Sequence, residues 1–234
     1  MMKGLKKMTT NYVRRLLVYL IGRWRSNFST QILQRSVSEN NPAFLHLGAG
    51  TNILKNWINT DYYPHKNNSC HLDITKNFPI PTGTVDKVLI EHVLEHFSQL
   101  EARHILEEIY RILKKDGLLI LAVPHLGFIQ KLISDPYDDL VVQYIEYCSG
   151  RFLDTDAHYS LKRDEVINNF FNDWGHKAIY SEAGLRELIK TQGYKLIYIG
   201  NYSEAEPEVK TLLKTNRMPD GFVQLESLLL VMQK

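Results

Sequence analysis

Two glycines and an aspartate have a spacing that suits the binding of a nucleoside-containing cofactor. An apolar run beginning at Phe44 stops at Gly48-Ala49-Gly50, and a second, beginning at Trp57, stops at Asp61. If both runs are parallel strands, their carboxyl ends face one crevice, where a glycine loop lets a ligand approach backbone N–H groups. An acid at the second strand end can bind a ribose diol. Glycine pairs also occur in ordinary turns, so the pattern indicates a cofactor site only if the neighbouring segments of the sequence also fit one.

A second group of reactive residues follows further along the chain. Residues 92–96 have the pattern H-x-x-E-H, the signature of the inverted zinc peptidases. On a helix, His92 and His96 would share one face and could bind zinc, with Glu95 polarising a water molecule. His92 directly follows the apolar run Val88–Ile90, however, which favours a strand end. A zinc hydrolase is therefore kept as an alternative, and we predict no metal ligand.

The elements that must position these residues alternate between strand and helix. Short segments of strand character are followed by a stretch with apolar residues at helical spacing, and then by a wholly apolar strand. We expect cations and a glycine in residues 114–117 to end that helix. The alternation predicts an open α/β sheet with right-handed crossovers. The predicted segments are Cys70–Ile74, Val85–His92, the helix Gln99–Leu113 and the strand Leu118–Pro124.

The order of these motifs resembles that of class I S-adenosylmethionine-dependent methyltransferases, in particular the small bacterial type 11 members. The resemblance covers roughly residues 43–200 and is carried by LHLGAG, INTD, CHLDI, VDKVLIEHVLEHF and EIYRILKKDGLLILAVP. It implies a Rossmann-like open, mostly parallel seven-stranded sheet. Helices would lie on both faces, and an antiparallel edge strand would come from the last two strands of the chain.

The resemblance also implies S-adenosyl-L-methionine as cofactor and assigns its binding residues. By that resemblance, Gly48, Ala49 and Gly50 would lie against the methionine part of the cofactor. Asp61, with Tyr62 beside it, would bind the ribose hydroxyls. The adenine would contact Asp73 and Ile74.

The reacting end of the cofactor is expected near the end of the fourth strand. The resemblance places Glu91 and His92 beside the sulfonium and its methyl group. A hydroxyl acceptor needs a base to take its proton, and histidine titrates in the required range. The candidates are His125, which follows the fifth strand, His96 and His92. For each of them, a histidine held by backbone hydrogen bonds is the structural alternative.

One departure from the family pattern concerns the first helix. Only Thr51–Asn56 separate Gly50 from Trp57, enough for about a turn and a half. The first helix is therefore expected to be shortened or absent, which weakens the contribution of a helix N-terminus to anion binding. This leaves a non-catalytic binding protein as a second alternative. A dehydrogenase is disfavoured because the loop lacks a third glycine.

The chain is interpreted as one domain with two additions. Residues 1–41 are expected to form a basic N-terminal extension, with a helix in residues 1–25 and a linker over residues 26–41, and residues 42–234 are expected to form the cofactor-binding domain. Residues 125–177, approximately, are rich in aromatic residues and histidine and are expected to be an inserted lid over the crevice. The expected partner is a small-molecule, sugar or lipid-linked sugar acceptor, and the oligomeric state is left open.

Composition limits the compartment and the partners. With 44% hydrophobic residues and a net charge of +2, the chain is ordinary for a globular protein, and its two cysteines suggest a reducing, cytoplasmic compartment. No run approaches roughly 18 apolar residues, so no membrane span is expected. Residues 1–25 are basic and could contact an anionic membrane surface. Without a basic surface interleaved with aromatic residues, we expect no nucleic-acid partner.

Overall fold

Short apolar runs that end at glycine, proline or acidic residues form the strands of one sheet. The computed structural model describes residues 29–64, 69–134, 138–153, 159–172, 174–213, 218–219 and 221–234. The sheet strands within these ranges are β1 Phe44–Leu47, β2 Ile58–Asp61, β3 Cys70–His71, β4 Val85–Glu91, β5 Leu113–Pro124, β6 Lys195–Gly200 and β7 Ser227–Gln233.

The strand order is β3-β2-β1-β4-β5-β7-β6. Strands β1 to β5 are parallel, and β7 runs antiparallel to both β5 and β6. The predicted open, mostly parallel seven-stranded sheet is confirmed. The strand that runs against the others is β7, and it lies inside the sheet between β5 and β6. The edge strand β6 therefore pairs antiparallel with β7.

The order reverses between β1 and β4. The chain passes from β1 outward to β2 and β3, then returns to place β4 on the other side of β1. The loops that follow β1 and β4 therefore diverge, and a crevice opens at the carboxyl ends of these strands. The glycine loop and His92 both lie at this switch point.

Helices pack around the sheet. Between β1 and β2 the structure has only turns, which confirms the expected loss of the first helix. The helices described are α1 (residues 29–39), α2 Gln99–Ile112, α3 Leu126–Ile133, α4 Asp139–Cys148, α5 Tyr159–Asn172, α6 Glu182–Thr191, α7 Pro207–Leu212 and α8 Phe222–Glu226.

Side chains alternate between the two faces of the sheet along each strand, and both faces are covered by packed residues. On β4, Val88 and Ile90 join a core with residues of α1, α2 and α6. Leu89 points to the opposite face and packs with Tyr202 and Val223. This alternation explains why the central strands are apolar at nearly every position.

Helix α2 ends earlier than its sequence pattern predicts. It begins with a capping box in which Ser98 accepts from the backbone of Glu101, and it ends at Ile112. The prediction that residues 114–117 form its end was wrong, because β5 begins at Leu113. The left-handed residue in this stretch is Asp116, with φ of 63°. Leu113 pairs with Val85 of β4, and the register shifts before Lys87 pairs with Leu118, so the strand takes over directly from the helix.

The segment after β5 has its own apolar core. Helices α3, α4 and α5 bury Phe128, Tyr144 and Phe170 together with Phe222 of α8. A π-helical turn follows α4. Ordinary packing thus accounts for most of the aromatic content of this segment, and its role as a lid stays a prediction.

The N-terminal segment departs from the predicted linker. Residues 29–39 are helical, and Leu33 and Val37 are buried in the main core. Their spacing of four residues puts both on one face of α1. Residues 1–28, including those predicted to contact a membrane, lie outside the described residues. None of the described helices has the length and apolarity needed to cross a membrane.

Candidate functional site

The glycine loop after β1 has a conformation that favours glycine. Gly48 and Gly50 have φ angles of +64° and +51°. A Cβ on Gly48 would overlap the side chain of Val93, which packs against the loop from the end of β4. Gly48 therefore serves both the turn and the close contact between the two strand ends.

Asp61 is held against this loop. One carboxylate oxygen accepts from the backbone N–H of Gly50 at 2.9 Å, and the other accepts from that of Tyr63 at 2.7 Å. A carboxylate offers about four lone-pair positions, so it retains the capacity to accept from ribose hydroxyls. The loop and the predicted ribose-binding acid thus form one hydrogen-bonded unit.

The next strand end supplies a second acid. Asp73 accepts from the backbone N–H of Thr75 at 3.0 Å and from its hydroxyl at 2.6 Å, which fixes the turn after β3. Ile74 is buried beside it, whereas Tyr62 is 53% exposed. Tyr62 stacks edge-on against Tyr63, with ring centroids 4.7 Å apart.

A cavity of about 400 Å³ lies among these strand ends. Its lining is Gly48, Asp61, Tyr62, Leu72, Asp73, Ile74, Thr75, Val93, His96 and Phe97. Six of these residues were predicted from the sequence as site residues. Another cavity of similar volume, between α2 and α6, shares none of them.

The remaining lining residues were not predicted. Val93 and Phe97 flank the short helix Leu94–His96, Leu72 precedes Asp73, and Thr75 donates to Asp73. For Leu72, Val93 and Phe97, the available signal was an apolar residue next to a predicted polar one. Their apolar surface suits the face of an adenine or another flat apolar group.

Several other predicted residues lie near the cavity without lining it. Ala49 is buried, and its N–H donates to the carbonyl of Thr60 at 2.9 Å. The N–H of Gly50 donates to Asp61, which itself lines the cavity. Glu91 ends β4, half-buried and opposite Ala122 of β5.

His92 lies between two buried carboxylates. Its Nε2 is 2.7 Å from the hydroxyl of Ser227 and 4.0 Å from Glu226 Oε1, and its Nδ1 is 3.4 Å from Glu95 Oε1. His92 has a left-handed backbone, with φ of 51°, and precedes the 3-10 helix Leu94–His96. The helical face on which the zinc-peptidase pattern depends is therefore absent.

His125 lies at the end of β5, as predicted, and caps α3. Its ring folds over Gly127, where a Cβ would lie 2.8 Å from its Nδ1. Burial and the charge of Lys131 lower the pKa of His125, while Glu182 opposes the shift. The ring is thus neutral at neutral pH, but it does not line the cavity.

A mostly parallel sheet with a glycine loop and paired acids at its switch point defines a nucleoside-cofactor-binding protein. Residues 45–121 match the family described as methyltransferase domain. The matched stretch contains the glycine loop, Asp61 and Asp73, and it is similar to methyltransferase domains. The chain is accordingly an enzyme, and S-adenosyl-L-methionine is its cofactor.

Solved structures of S-adenosylmethionine-dependent methyltransferases are among those similar to this chain. One from Mesorhizobium loti is 10% identical with a TM-score of 0.49, over 82% of this chain and 90% of that one. One from Archaeoglobus fulgidus is 15% identical with a TM-score of 0.48, over 89% and 94%. One from Thermotoga maritima is 15% identical with a TM-score of 0.48, over the full length of both. No curated protein matches the chain.

Proposed function

We propose that the chain transfers a methyl group to an oxygen or nitrogen of a small molecule or glycan precursor, including a lipid-linked sugar. The observation that supports this most directly is the cavity, where the glycine loop meets Asp61 and Asp73. Backbone N–H groups, a carboxylate for a diol and an apolar wall for a base together fit S-adenosyl-L-methionine.

Each side of the cavity has its own proposed role. The loop Gly48–Gly50 holds the methionine part, and Asp61 accepts from the ribose hydroxyls. Asp73 and Ile74 contact the adenine. The helices that follow β5 cover the acceptor and determine its choice, because such insertions vary more readily than the sheet beneath them.

The chemistry requires orientation above all. When bound, the cofactor supplies a methyl group whose bond to sulfur breaks as its bond to the acceptor atom forms. Holding the acceptor in line can contribute about 7–11 kcal/mol. Of the three candidate bases, His96 alone lines the cavity, so it is the best placed to take the proton of a hydroxyl acceptor. His92 and His125 are the other candidates, but neither lines the cavity.

Calorimetric titration with S-adenosylmethionine and S-adenosylhomocysteine tests the cofactor site. We expect saturable binding by the wild type and by the control Asp164→Ala, which changes an exposed acid on α5. Asp61→Ala removes charged hydrogen bonds worth about 1.5–3 kcal/mol, so the affinity should fall by about 10- to 100-fold.

The outcomes separate the alternatives. Absence of binding by the wild type at millimolar cofactor would overturn the proposal. Tight binding without turnover on any acceptor of a broad screen would instead favour the non-catalytic binding protein. Binding that Asp61→Ala leaves unchanged would show that the ribose lies elsewhere.

A further inference from the structure

Two histidines and a glutamate from separate parts of the chain meet beside the cofactor cavity. Glu95 and His96 belong to the short helix after β4, and His176 follows α5. One potential ligand atom from each lies within 4.8 Å of the others. The two imidazole rings have centroids 5.1 Å apart, and Glu95 is only 1% exposed.

Backbone carbonyls orient both rings. His176 Nδ1 lies 2.9 Å from the carbonyl of Phe170, and His96 Nδ1 lies 3.4 Å from that of Gly175. Because a carbonyl can only accept, each Nδ1 is placed to donate, which leaves each Nε2 as the nitrogen that can bind a metal. Metal-binding histidines characteristically have this second hydrogen bond, which fixes the tautomer.

The backbone joins the two segments directly. The carbonyl of Glu95 accepts from the N–H groups of Lys177 at 2.8 Å and Ala178 at 3.1 Å. Gly175 has φ of +76°, which turns the chain so that its carbonyl reaches His96. Main-chain hydrogen bonds between the two segments therefore hold the three side chains close together.

We propose that Glu95, His96 and His176 bind one divalent first-row transition-metal ion, for which zinc is the best match. Two imidazoles and one carboxylate are a known zinc-binding set that leaves a coordination position open. Magnesium and calcium prefer ligand sets made only of oxygens, so they fit less well.

The position of the site indicates its use. His96 also lines the cofactor cavity, so a metal bound here would lie beside that cavity. An acceptor with a hydroxyl or carboxylate oxygen would match a Lewis acid there, in which case His96 would hold the metal and would not act as the base. This second step rests on the proposed function, whereas metal binding itself does not.

Metal content tests the site directly. Protein purified without a histidine tag is dialysed against zinc, and bound metal is measured for the wild type, His176→Gln, Glu95→Gln and the control His104→Gln on α2. We expect one equivalent in the wild type and control. The affinity should fall at least about tenfold in both ligand variants. Circular dichroism establishes that each variant is folded.

Cobalt substitution provides an independent readout on the wild type. The visible spectrum of Co²⁺ should be that of a low-coordinate site with nitrogen ligands, and zinc should displace it. Equal metal content in the wild type and His176→Gln, or a cobalt spectrum like that of the free ion, would overturn the proposal. Cofactor titration of metal-free protein distinguishes this failure from that of the methyltransferase proposal, because Asp61 and Asp73, which hold the cofactor in that proposal, are not metal ligands.

Discussion

At the scale of single residues, the site depends on left-handed backbone positions at two strand ends. Gly48 and Gly50 turn the loop after β1, and His92 has φ of 51° after β4. A non-glycine residue in this region costs about 1–3 kcal/mol, and such strain is typical of functional sites. The left-handed backbone of His92 directs its ring toward Ser227 and the buried carboxylates of Glu95 and Glu226.

Substitution of Gly48 tests how tightly the two strand ends are packed. Gly48→Ala introduces left-handed strain of about 1–2 kcal/mol and also overpacks Val93, which adds about 1–3 kcal/mol. Gly83→Ala is the matched control, because Gly83 has φ of +68° and open space around its Cα. We expect a larger loss of unfolding free energy for Gly48→Ala, and recovery of the overpacking part in combination with Val93→Ala. Equal losses at the two glycines would contradict the packing argument.

At the scale of elements, α2 secures the segment that joins β3 to β4. Glu108 accepts from the backbone N–H of Phe78 at 2.6 Å and from Arg111 Nε and Nη2 at 2.8 and 2.7 Å. Arg111 also donates to the carbonyl of Ile80 at 2.8 Å. One ion pair thus holds the chain just beyond the turn at Asp73, on the predicted adenine side.

The contribution of this ion pair should depend on pH. Hydrogen bonding to Arg111 lowers the pKa of Glu108 below its ordinary 4.5, with support from Phe78 and opposition from burial. The stabilisation is therefore complete above the unfolded pKa and is lost as the pH falls through the folded one. Glu108→Gln should cost about 1–3 kcal/mol at neutral pH. The control Glu107→Gln, at an exposed position, should cost little.

Denaturant unfolding over a pH series measures this difference. The gap between wild type and Glu108→Gln should narrow as the solution becomes more acidic than the ordinary glutamate pKa. A gap that is constant with pH would show that shape, and not charge, makes Glu108 important.

The elements also show what the sequence could and could not predict. Strand ends were predictable, because apolar runs stop at Gly48, Asp61 and Asp73, and a parallel sheet brings such ends together. The start of β5 was not, because residues 113–117 resemble a helix end and the pairing of Leu113 with Val85 exists only in the folded sheet. Helix α1 was missed because Leu33 and Val37 alone carry its buried face. The approach of His176 to His96 depends on tertiary contacts that leave no local signal.

At the scale of the whole molecule, the main core and the core of the segment after β5 have different roles. The main core joins the sheet to α1, α2 and α6, whereas Phe128, Tyr144 and Phe170 centre a smaller core in the segment after β5. Tyr144 donates to Glu226 at 2.7 Å, which ties the smaller core to the beginning of β7. The proposed cofactor cavity belongs to the first core.

Cavity-forming substitutions should separate these roles. Phe128→Ala should lower the unfolding free energy by about 3–5 kcal/mol and leave cofactor affinity unchanged under conditions where the variant is folded. Leu47→Ala, directly before the glycine loop, should cost about 2–5 kcal/mol and also weaken cofactor binding. Denaturant unfolding and calorimetry measure both quantities. Weakened cofactor binding in Phe128→Ala would mean that the smaller core also shapes the cofactor cavity.

The interior position of β7 has a consequence for how the chain folds. β6 pairs with β7 alone in the sheet, although β6 precedes β7 in the sequence. β7 pairs with β5, and the segment from α3 to α8 separates these two strands along the chain. Contacts so distant along the chain form slowly, because loop closure has to precede them. The parallel half, β1 to β5, can assemble from nearby segments. We therefore expect the glycine loop and its acids to form early in folding, and the helices after β5 to become stable only when β7 joins the sheet.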